Sequence, residues 1–149
     1  MDTIRTAIIG AGKMGGIHAK VYGKLEQARL VAVVDADPVK AQNLAKQHNC
    51  KALTDPKDLI GQVDAVTISA PTVAHKSLAE LLISNRIPVL IEKPLAASVE
   101  EGRRIVELSK QYNTVVAVGH SERCNPVVQA MKRLHIEPMF IEEIGRAHV

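Results

Sequence analysis

The stretch from Ile8 to Gly15 reads IIGAGKMG, and it predicts a strand, a glycine turn and the start of a helix. In the spacing G-x-G-x-x-G, Gly10 makes the tight turn and Gly12 lets the backbone approach a diphosphate. Gly15 lets the helix pack closely on the strand. The helix N-terminus adds free N–H groups and a partial positive charge. The stretch therefore predicts a nucleotide-binding turn, with an ordinary glycine-capped turn as the alternative.

An acid, Asp35, stands at the end of the next apolar run, which covers residues 30–35. A carboxylate about 20 residues after such a turn can accept hydrogen bonds from the ribose hydroxyls of an adenosine. Its charge would repel a 2′-phosphate, and no arginine follows it, because the next residues are Ala36, Asp37 and Pro38. The sequence therefore favours nucleotide binding over a plain turn, and NAD over NADP as the cofactor.

The composition is that of a globular chain with an aliphatic core. Of 149 residues, 46% are hydrophobic and 23% are charged, while aromatic residues make up only 2%. A core of Val, Ile, Leu and Ala is typical of a buried parallel sheet under helices. Few aromatic residues and a net charge of +3 without a basic block do not support nucleic-acid binding.

Several other classes of protein find no support in the sequence. Cys50 and Cys124 are isolated and no secretory signal is present, which predicts a reducing, cytoplasmic setting with free thiols. We expect Cys124 to be an inert buried residue and not a nucleophile. No apolar run is long enough for a bilayer, no residue set has metal-ligand spacing, and no G-x-S-x-G motif occurs.

Strand and helix signals alternate along the chain, which predicts an α/β fold with a doubly wound parallel sheet. Asp37-Pro38, Asp55-Pro56 and Asn125-Pro126 each read as a helix cap followed by proline, and Ser98 opens a capping box. Ligands of such sheets lie at the carboxyl ends of the strands. The predicted strands are residues 3–9, 30–35, 50–53, 64–69, 88–92 and 115–119, with one more at 139–144, and the predicted helices are 14–24, 38–48, 73–84, 98–112 and 126–134.

Polar residues follow the fourth predicted strand in Ser69-Ala70-Pro71-Thr72-Val73-Ala74-His75. One interpretation is a wall beside the nicotinamide ribose. The other is that Thr72 caps the next helix and His75 lies on its solvated face. The residues alone leave these two interpretations open.

The fifth predicted strand ends in the charged residues of Val89-Leu90-Ile91-Glu92-Lys93-Pro94. Lys93 could orient a substrate hydroxyl or help its proton to leave, and the bond before Pro94 could be cis. The alternative is a surface ion pair at the end of a strand. The position of these charged residues at the carboxyl end of a strand, where ligands of such sheets bind, favours a functional role.

The sixth predicted strand runs into Gly119-His120-Ser121-Glu122-Arg123-Cys124-Asn125-Pro126. Arg123 and Asn125 are candidate residues for the substrate side of the crevice. The alternatives are a solvated loop position for Arg123 and a helix N-cap for Asn125, which the sequence favours. For His18, a packed or solvated position is favoured over contact with the cofactor.

Three of these segments together resemble the glucose–fructose oxidoreductase/inositol dehydrogenase/MocA (Gfo/Idh/MocA) family of NAD(P)-dependent sugar and polyol oxidoreductases. They are Gly10–Ala19, Glu92–Leu95 and Gly119–Pro126. The resemblance implies that Lys93 is the catalytic lysine and that its peptide bond to Pro94 is often cis. The residues it assigns to the cofactor are Gly10, Ala11, Gly12, Lys13, Met14, Gly15, Asp35, Ser69, Pro71, Thr72, His75, Glu92 and Lys93.

The resemblance also implies hydride transfer between nicotinamide and a secondary alcohol of a sugar. The form Gly-His-x-Glu-Arg-x-Asn-Pro resembles a bacterial branch that oxidises nucleotide-linked amino sugars, such as UDP-N-acetylglucosamine. The expected partner is thus a small sugar or nucleotide sugar, and neither a nucleic acid nor a membrane. A redox-sensing or regulatory dinucleotide-binding module without turnover, or a non-redox nucleotide-binding enzyme, remains the alternative.

The family resemblance further predicts two parts of unequal size. Residues 1–122 would form the dinucleotide-binding domain, and residues 123–149 a connecting helix and the first strand of a second α/β domain. In the family that second domain carries substrate contacts, a catalytic histidine and the usual subunit interface. We therefore expect these 149 residues to bind cofactor without turnover, and the full-length protein to be a homo-oligomeric sugar dehydrogenase.

Overall fold

The computed structural model describes residues 3–134, and in this part of the chain six parallel strands form one sheet. Their order is β3-β2-β1-β4-β5-β6, and all five neighbouring pairs are parallel. This confirms the predicted doubly wound sheet. The strands are β1 (Ile4–Ile9), β2 (Ala28–Val34), β3 (Lys51–Leu53), β4 (Ala65–Ile68), β5 (Val89–Ile91) and β6 (Val116–Val118).

Five α-helices and three short 3₁₀ turns lie within the described residues. Each of these turns follows a strand, namely β3, β4 and β6. The helices are α1 (Lys13–Tyr22), α2 (Pro38–Gln47), α3 (His75–Ser84), α4 (Val99–Tyr112) and α5 (Pro126–Arg133), and the turns are Pro56–Leu59, Thr72–Ala74 and Ser121–Cys124.

Three of the predicted helix starts are confirmed by their side-chain caps. Asp37 accepts a hydrogen bond from the Val39 amide at 2.9 Å, and Asn125 accepts one from the Val127 amide at 3.0 Å. Ser98 accepts one from the Glu101 amide at 3.2 Å. Each cap satisfies at least one otherwise unpaired helix N–H, which is worth about 1 kcal/mol.

The core has one layer on each side of the sheet. Ile8 and Val33 pack with the buried residues of α1 and α2, whereas Ile9 and Val34 pack on the opposite side with buried residues of α3 and α4. Aliphatic residues dominate both layers, as the composition predicts. Because adjacent strand residues alternate between the layers, β1 and β2 are apolar on both faces.

The chain divides into two compact units, of which the first ends at Gly119 and the second begins at His120. The sheet and α1–α4 belong to the first unit, and α5 belongs to the second. The strand predicted at residues 139–144 lies outside the described residues. Among the helices of residues 3–134, none is both long enough and apolar enough to cross a bilayer.

Candidate functional site

The glycine turn joins β1 to α1 and lies against the end of β4. Gly10 has a φ of +102°, and a Cβ at this position would lie 2.6 Å from the carbonyl carbon of Ser69. A Cβ on Gly15 would lie 1.9 Å from the carbonyl oxygen of Gly10. Both positions therefore require glycine, one for its positive φ and the other for close packing of α1 on the turn.

Gly12 is open to solvent, since a Cβ at this position would meet nothing within 4 Å. It is the N-cap of α1, and the first turn of that helix carries no acidic residue. The first amides of a helix lack carbonyl partners within the helix. Those at Lys13 and Met14 can therefore bind an anion, and no side chain fills the space over Gly12.

Asp35 follows β2 and its carboxylate braces the glycine turn. Oδ2 accepts a hydrogen bond from the Ala11 amide at 2.7 Å, and Oδ1 accepts one from the Asp37 amide at 2.9 Å. An ionised carboxylate has roughly four acceptor positions. The side chain can therefore hold the turn and still accept hydrogen bonds from two ribose hydroxyls.

A cavity of about 240 Å³ opens between the carboxyl ends of β1, β2 and β4, next to Asp35. Most of its wall is formed by small or apolar side chains, which suits a planar aromatic ring. It is lined by Ile9, Gly10, Val34, Asp35, Ala36, Thr54, Pro56, Ala70, Pro71, Ala74 and Leu78.

Ser69 and Thr72 occupy the loop between β4 and α3. Ser69 Oγ donates to the carbonyl oxygen of Gly10 at 2.9 Å, so this side chain fastens β4 to the glycine turn. Thr72 begins a 3₁₀ turn that is capped by Pro71 without a side-chain hydrogen bond, and α3 itself begins after Ala74. The interpretation of Thr72 as the helix N-cap is therefore wrong.

His75 is the first residue of α3 and is only 1% exposed, so a solvated face for it is also wrong. Because of the 3₁₀ turn, α3 begins two residues later than predicted, and the side chain of its first residue is buried. Its Nδ1 lies 3.0 Å from the Pro94 carbonyl oxygen and its Nε2 lies 2.9 Å from the Ala70 carbonyl oxygen. Both ring nitrogens thus face backbone carbonyl oxygens.

Glu92 follows β5 and is 9% exposed, so its carboxylate is buried at the edge of the sheet. Oε1 lies 2.8 Å from His18 Nε2, and Oε2 accepts a hydrogen bond from the Lys93 amide at 3.1 Å. A Cβ on Gly119 would lie 3.1 Å from the carboxyl carbon. The carboxylate is thus enclosed by α1 and by the end of β6, with partners that offset the cost of its burial.

Lys93 is exposed, and its peptide bond to Pro94 is cis, as predicted. A surface ion pair between Glu92 and Lys93 is wrong, because Glu92 is buried against His18. Lys93 stands two residues after β5, at the carboxyl end of this strand. It lies on the same edge of the sheet as the glycine turn, since all strands are parallel.

The second unit holds Arg123, Cys124 and Asn125. Arg123 and Cys124 are exposed on the 3₁₀ turn, and the backbone carbonyl of Arg123 accepts a hydrogen bond from the Gln129 side chain. Asn125 caps α5 and also donates to the Glu122 carboxylate at 2.7 Å. The expectation of a buried Cys124 is wrong, because the short turn leaves its side chain at the surface.

The second thiol, Cys50, lies away from the glycine turn, directly before β3. Cys50 is half-buried, and this burial raises the pKa of its thiol above the ordinary value, which disfavours the reactive thiolate. Within residues 3–134 no three His, Cys, Asp or Glu side chains are grouped so as to hold a metal ion.

Sequence reasoning missed two parts of this site. The first is the pairing of His18 with Glu92, which lie 74 residues apart in the chain. Their only signal is that each lies close to a recognised motif. The second is the cavity wall, which uses ordinary residues such as Ala36, Thr54 and Leu78 that no motif marks.

The strand order, the glycine turn and the acid after β2 define a Rossmann dinucleotide-binding fold. Comparison with known proteins agrees: the Gfo/Idh/MocA family model, described as an oxidoreductase family with an NAD-binding Rossmann fold, matches residues 4–120. The chain belongs to this family.

The chain is similar in sequence to several curated dehydrogenases. It is 32% identical over 143 residues to a UDP-N-acetylglucosamine 3-dehydrogenase of Acidithiobacillus ferrooxidans, a match that covers 95% of this chain and 45% of that protein. It is 36% identical over 135 residues to an inositol 2-dehydrogenase of Rubrobacter xylanophilus, covering 88% and 39%. The chain thus spans less than half the length of these relatives.

Solved structures show the same likeness. The Acidithiobacillus ferrooxidans UDP-N-acetylglucosamine 3-dehydrogenase superposes with a TM-score of 0.84 at 31% identity, covering 91% of this chain and 44% of that one. A scyllo-inositol dehydrogenase of Lactobacillus casei, solved with bound NAD(H) and scyllo-inositol, superposes with a TM-score of 0.84 at 25% identity, covering 89% and 41%.

Proposed function

We propose that this chain binds NAD and that the whole protein transfers a hydride between nicotinamide and a secondary alcohol of a sugar. The observation that carries the proposal is the bracing of the glycine turn by Asp35, which places an acid beside uncapped helix amides. Bound nicotinamide supplies the hydride-accepting carbon. The residues of the chain bind the cofactor, orient the substrate and polarise its hydroxyl group.

The glycine turn and the cavity are proposed to bind different parts of the cofactor. The amides that open α1 take the diphosphate, and the two free acceptor positions of Asp35 take the ribose hydroxyls. The cavity of about 240 Å³ beside Asp35 takes the adenine ring. Gly10 and Gly15 keep the turn in the shape that makes this possible.

NAD is proposed over NADP on grounds of charge. A 2′-phosphate would meet the Asp35 carboxylate, and a second acid, Asp37, follows two residues later in the chain. The Nζ of Lys40 lies 3.9 Å from Asp37 Oδ2, in an exposed pair that offers a phosphate little. Like charges at close range disfavour the phosphorylated cofactor.

On the other side of the crevice, Lys93 is the proposed catalytic residue. Its ammonium donates a hydrogen bond to the substrate hydroxyl and stabilises the negative charge that builds up on this oxygen as its proton passes to a base. The family resemblance assigns that base to a histidine of the second domain. The nicotinamide ribose is proposed to be bordered by Ser69, Pro71, Thr72, His75 and Glu92. Because His75 is buried, it supports the other residues and does not itself face the crevice.

The substrate is proposed to be a sugar or a nucleotide-linked amino sugar, with Arg123 and Asn125 on its side of the crevice. Support comes from the relatives, which include a UDP-N-acetylglucosamine 3-dehydrogenase and inositol 2-dehydrogenases. A cytoplasmic setting and a homo-oligomeric whole protein are part of the same proposal, and both cysteines are free.

Fluorescence titration of this chain with NADH and with NADPH tests the cofactor half. We expect NADH to bind in the micromolar range and NADPH at least tenfold more weakly. Asp35→Ala removes charge-assisted hydrogen bonds and should weaken NADH binding about 100-fold. Gly12→Val fills the space above the helix amides and should abolish binding.

Asp64→Ala is the matched control, because Asp64 is an exposed acid at the opposite edge of the sheet, bonded to Arg5. It should leave NADH affinity unchanged. Unaltered affinity in both Asp35→Ala and Gly12→Val would contradict the proposed site. NADH binding without oxidation of any sugar by the whole protein would favour a redox-sensing module instead.

A further inference from the structure

The turn formed by Glu92, Lys93 and Pro94, here called the lysine turn, combines an exposed side chain with a fixed backbone. A lysine side chain has a flexible four-carbon stem, so the reach of its ammonium depends on how firmly the backbone is held. We propose that His18 and His75 are positioning residues that hold the lysine turn at its two ends. The functional meaning of this inference rests on the role proposed above for Lys93.

At the first end, His18 acts through Glu92. The ring nitrogen Nε2 lies 2.8 Å from Oε1, while Oε2 accepts the hydrogen bond from the Lys93 amide. Gly119 lies against the Glu92 carboxylate on another side, and this close contact is possible because glycine has no Cβ. Without the imidazole, one oxygen of a buried carboxylate would lose its partner, and the carboxylate would turn away from the Lys93 amide.

At the second end, His75 acts on Pro94 directly. Its Nδ1 lies 3.0 Å from the Pro94 carbonyl oxygen, and the ring is 1% exposed, so water does not compete for this contact. Nε2 faces the carbonyl of Ala70, in the loop that follows β4. The ring therefore ties the lysine turn to the neighbouring loop on the carboxyl edge of the sheet.

The two histidines also connect the lysine turn to the proposed cofactor-binding segments. His18 lies on α1, the helix that the glycine turn opens, and His75 follows Pro71 and Ala74, which line the cavity. A displacement of either segment would reach the turn through one hydrogen-bonded side chain. His48 provides the contrast. It is half-buried at the C-terminal end of α2 and makes no hydrogen bond to the lysine turn.

Backbone amide hydrogen exchange of this chain, measured by NMR, tests the inference. His18→Leu should speed exchange of the Lys93 amide about tenfold, the effect expected for one lost hydrogen bond. His18→Gln keeps a donor for Glu92 and should restore the slow rate. His75→Gln can serve one of its two carbonyls and should speed exchange by about threefold.

The amide of Val66, which donates to the Pro88 carbonyl in the core, is the internal reference and should not change in any variant. His48→Leu is the matched control and should leave Lys93 at the wild-type rate. Unchanged Lys93 exchange in both His18→Leu and His75→Gln would overturn the inference. An equal acceleration at Val66 would also overturn it, because the histidines would then act only on global stability.

NADH titration of the same samples separates this inference from the proposed function. If wild-type chain binds NADH while Lys93 exchange is insensitive to both histidines, only the positioning role fails. If the wild type binds no NADH and the exchange result holds, the proposed function fails and the histidine contacts stand.

Discussion

The glycine turn and the lysine turn lie on the same edge of the sheet but are built in opposite ways. The glycine turn depends on backbone shape, with Gly10 and Gly15 in positions that no other residue can occupy. Asp35, 24 residues from Ala11, supplies its side-chain brace. The lysine turn depends on side chains from distant segments, since His18 reaches Glu92 across 74 residues. A short motif can encode the first kind of site, whereas the second exists only in the folded chain.

The largest effect that this comparison predicts is at Gly15. Gly15→Ala would place a Cβ against the Gly10 carbonyl oxygen, so α1 must move away from the turn. We expect a loss of about 3 kcal/mol in the free energy of unfolding, together with the loss of NADH binding. Urea denaturation measures the first quantity.

Gly16→Ala is the control for that experiment, because a Cβ at Gly16 would meet nothing within 4 Å. Alanine in a helix interior should stabilise the chain by about 0.5–1 kcal/mol. A Gly15→Ala protein as stable as the wild type would show that the turn is not fixed by its backbone.

The next largest effect should come from the brace at Asp35. In Asp35→Asn, one of the two backbone amides would face an NH₂ group instead of an acceptor. We expect a loss of about 1–2 kcal/mol without any ligand present, measured by urea denaturation. In Asp37→Asn a single oxygen can still accept both capping hydrogen bonds, so the change should be below about 0.5 kcal/mol. Equal stability of the two variants would show that the Asp35 hydrogen bonds do not stabilise the fold.

A smaller effect is expected at Gly119, in the region of the lysine turn. In Gly119→Ala the new Cβ would lie 3.1 Å from the Glu92 carboxyl carbon. Here the neighbour is a side chain that can shift slightly, so the cost should be about 1 kcal/mol, with a changed NMR shift at the Lys93 amide. Gly102→Ala, where the nearest atom lies 3.8 Å away, should leave that shift unchanged.

The smallest effect lies at the opposite edge of the sheet. Hydrogen bonds from the Arg5 side chain and backbone lower the pKa of the exposed Asp64 from 3.8 to about 2. Since the folded value is the lower one, the stabilisation is complete above pH 3.8 and is lost as the pH falls through about 2. The melting temperature of Asp64→Asn should therefore fall less between pH 4 and pH 2 than that of the wild type. Arg5→Leu should show the same weak dependence of melting temperature on pH. If the two variants differ in this dependence, the Arg5–Asp64 pair is not the cause of the effect.

The same contrast explains what the sequence could predict. The alternation of strands and helices, the glycine turn, and the caps at Asp37 and Asn125 are local patterns, and the structure reproduces them. The environment of His75 depends on a 3₁₀ turn that delays α3 by two residues, which periodicity does not reveal. The burial of Glu92 depends on α1 and β6, whose approach no window of sequence contains.

The lengths of the two outermost strands have a consequence for how the protein behaves at high concentration. The strands β3 and β6 are three residues each, whereas the central β1 has six residues and its neighbour β2 has seven. A long open border would offer a row of unpaired peptide groups to another chain, and a border of three residues offers very few. The described sheet thus tapers toward both borders, which makes it a poor template for aggregation.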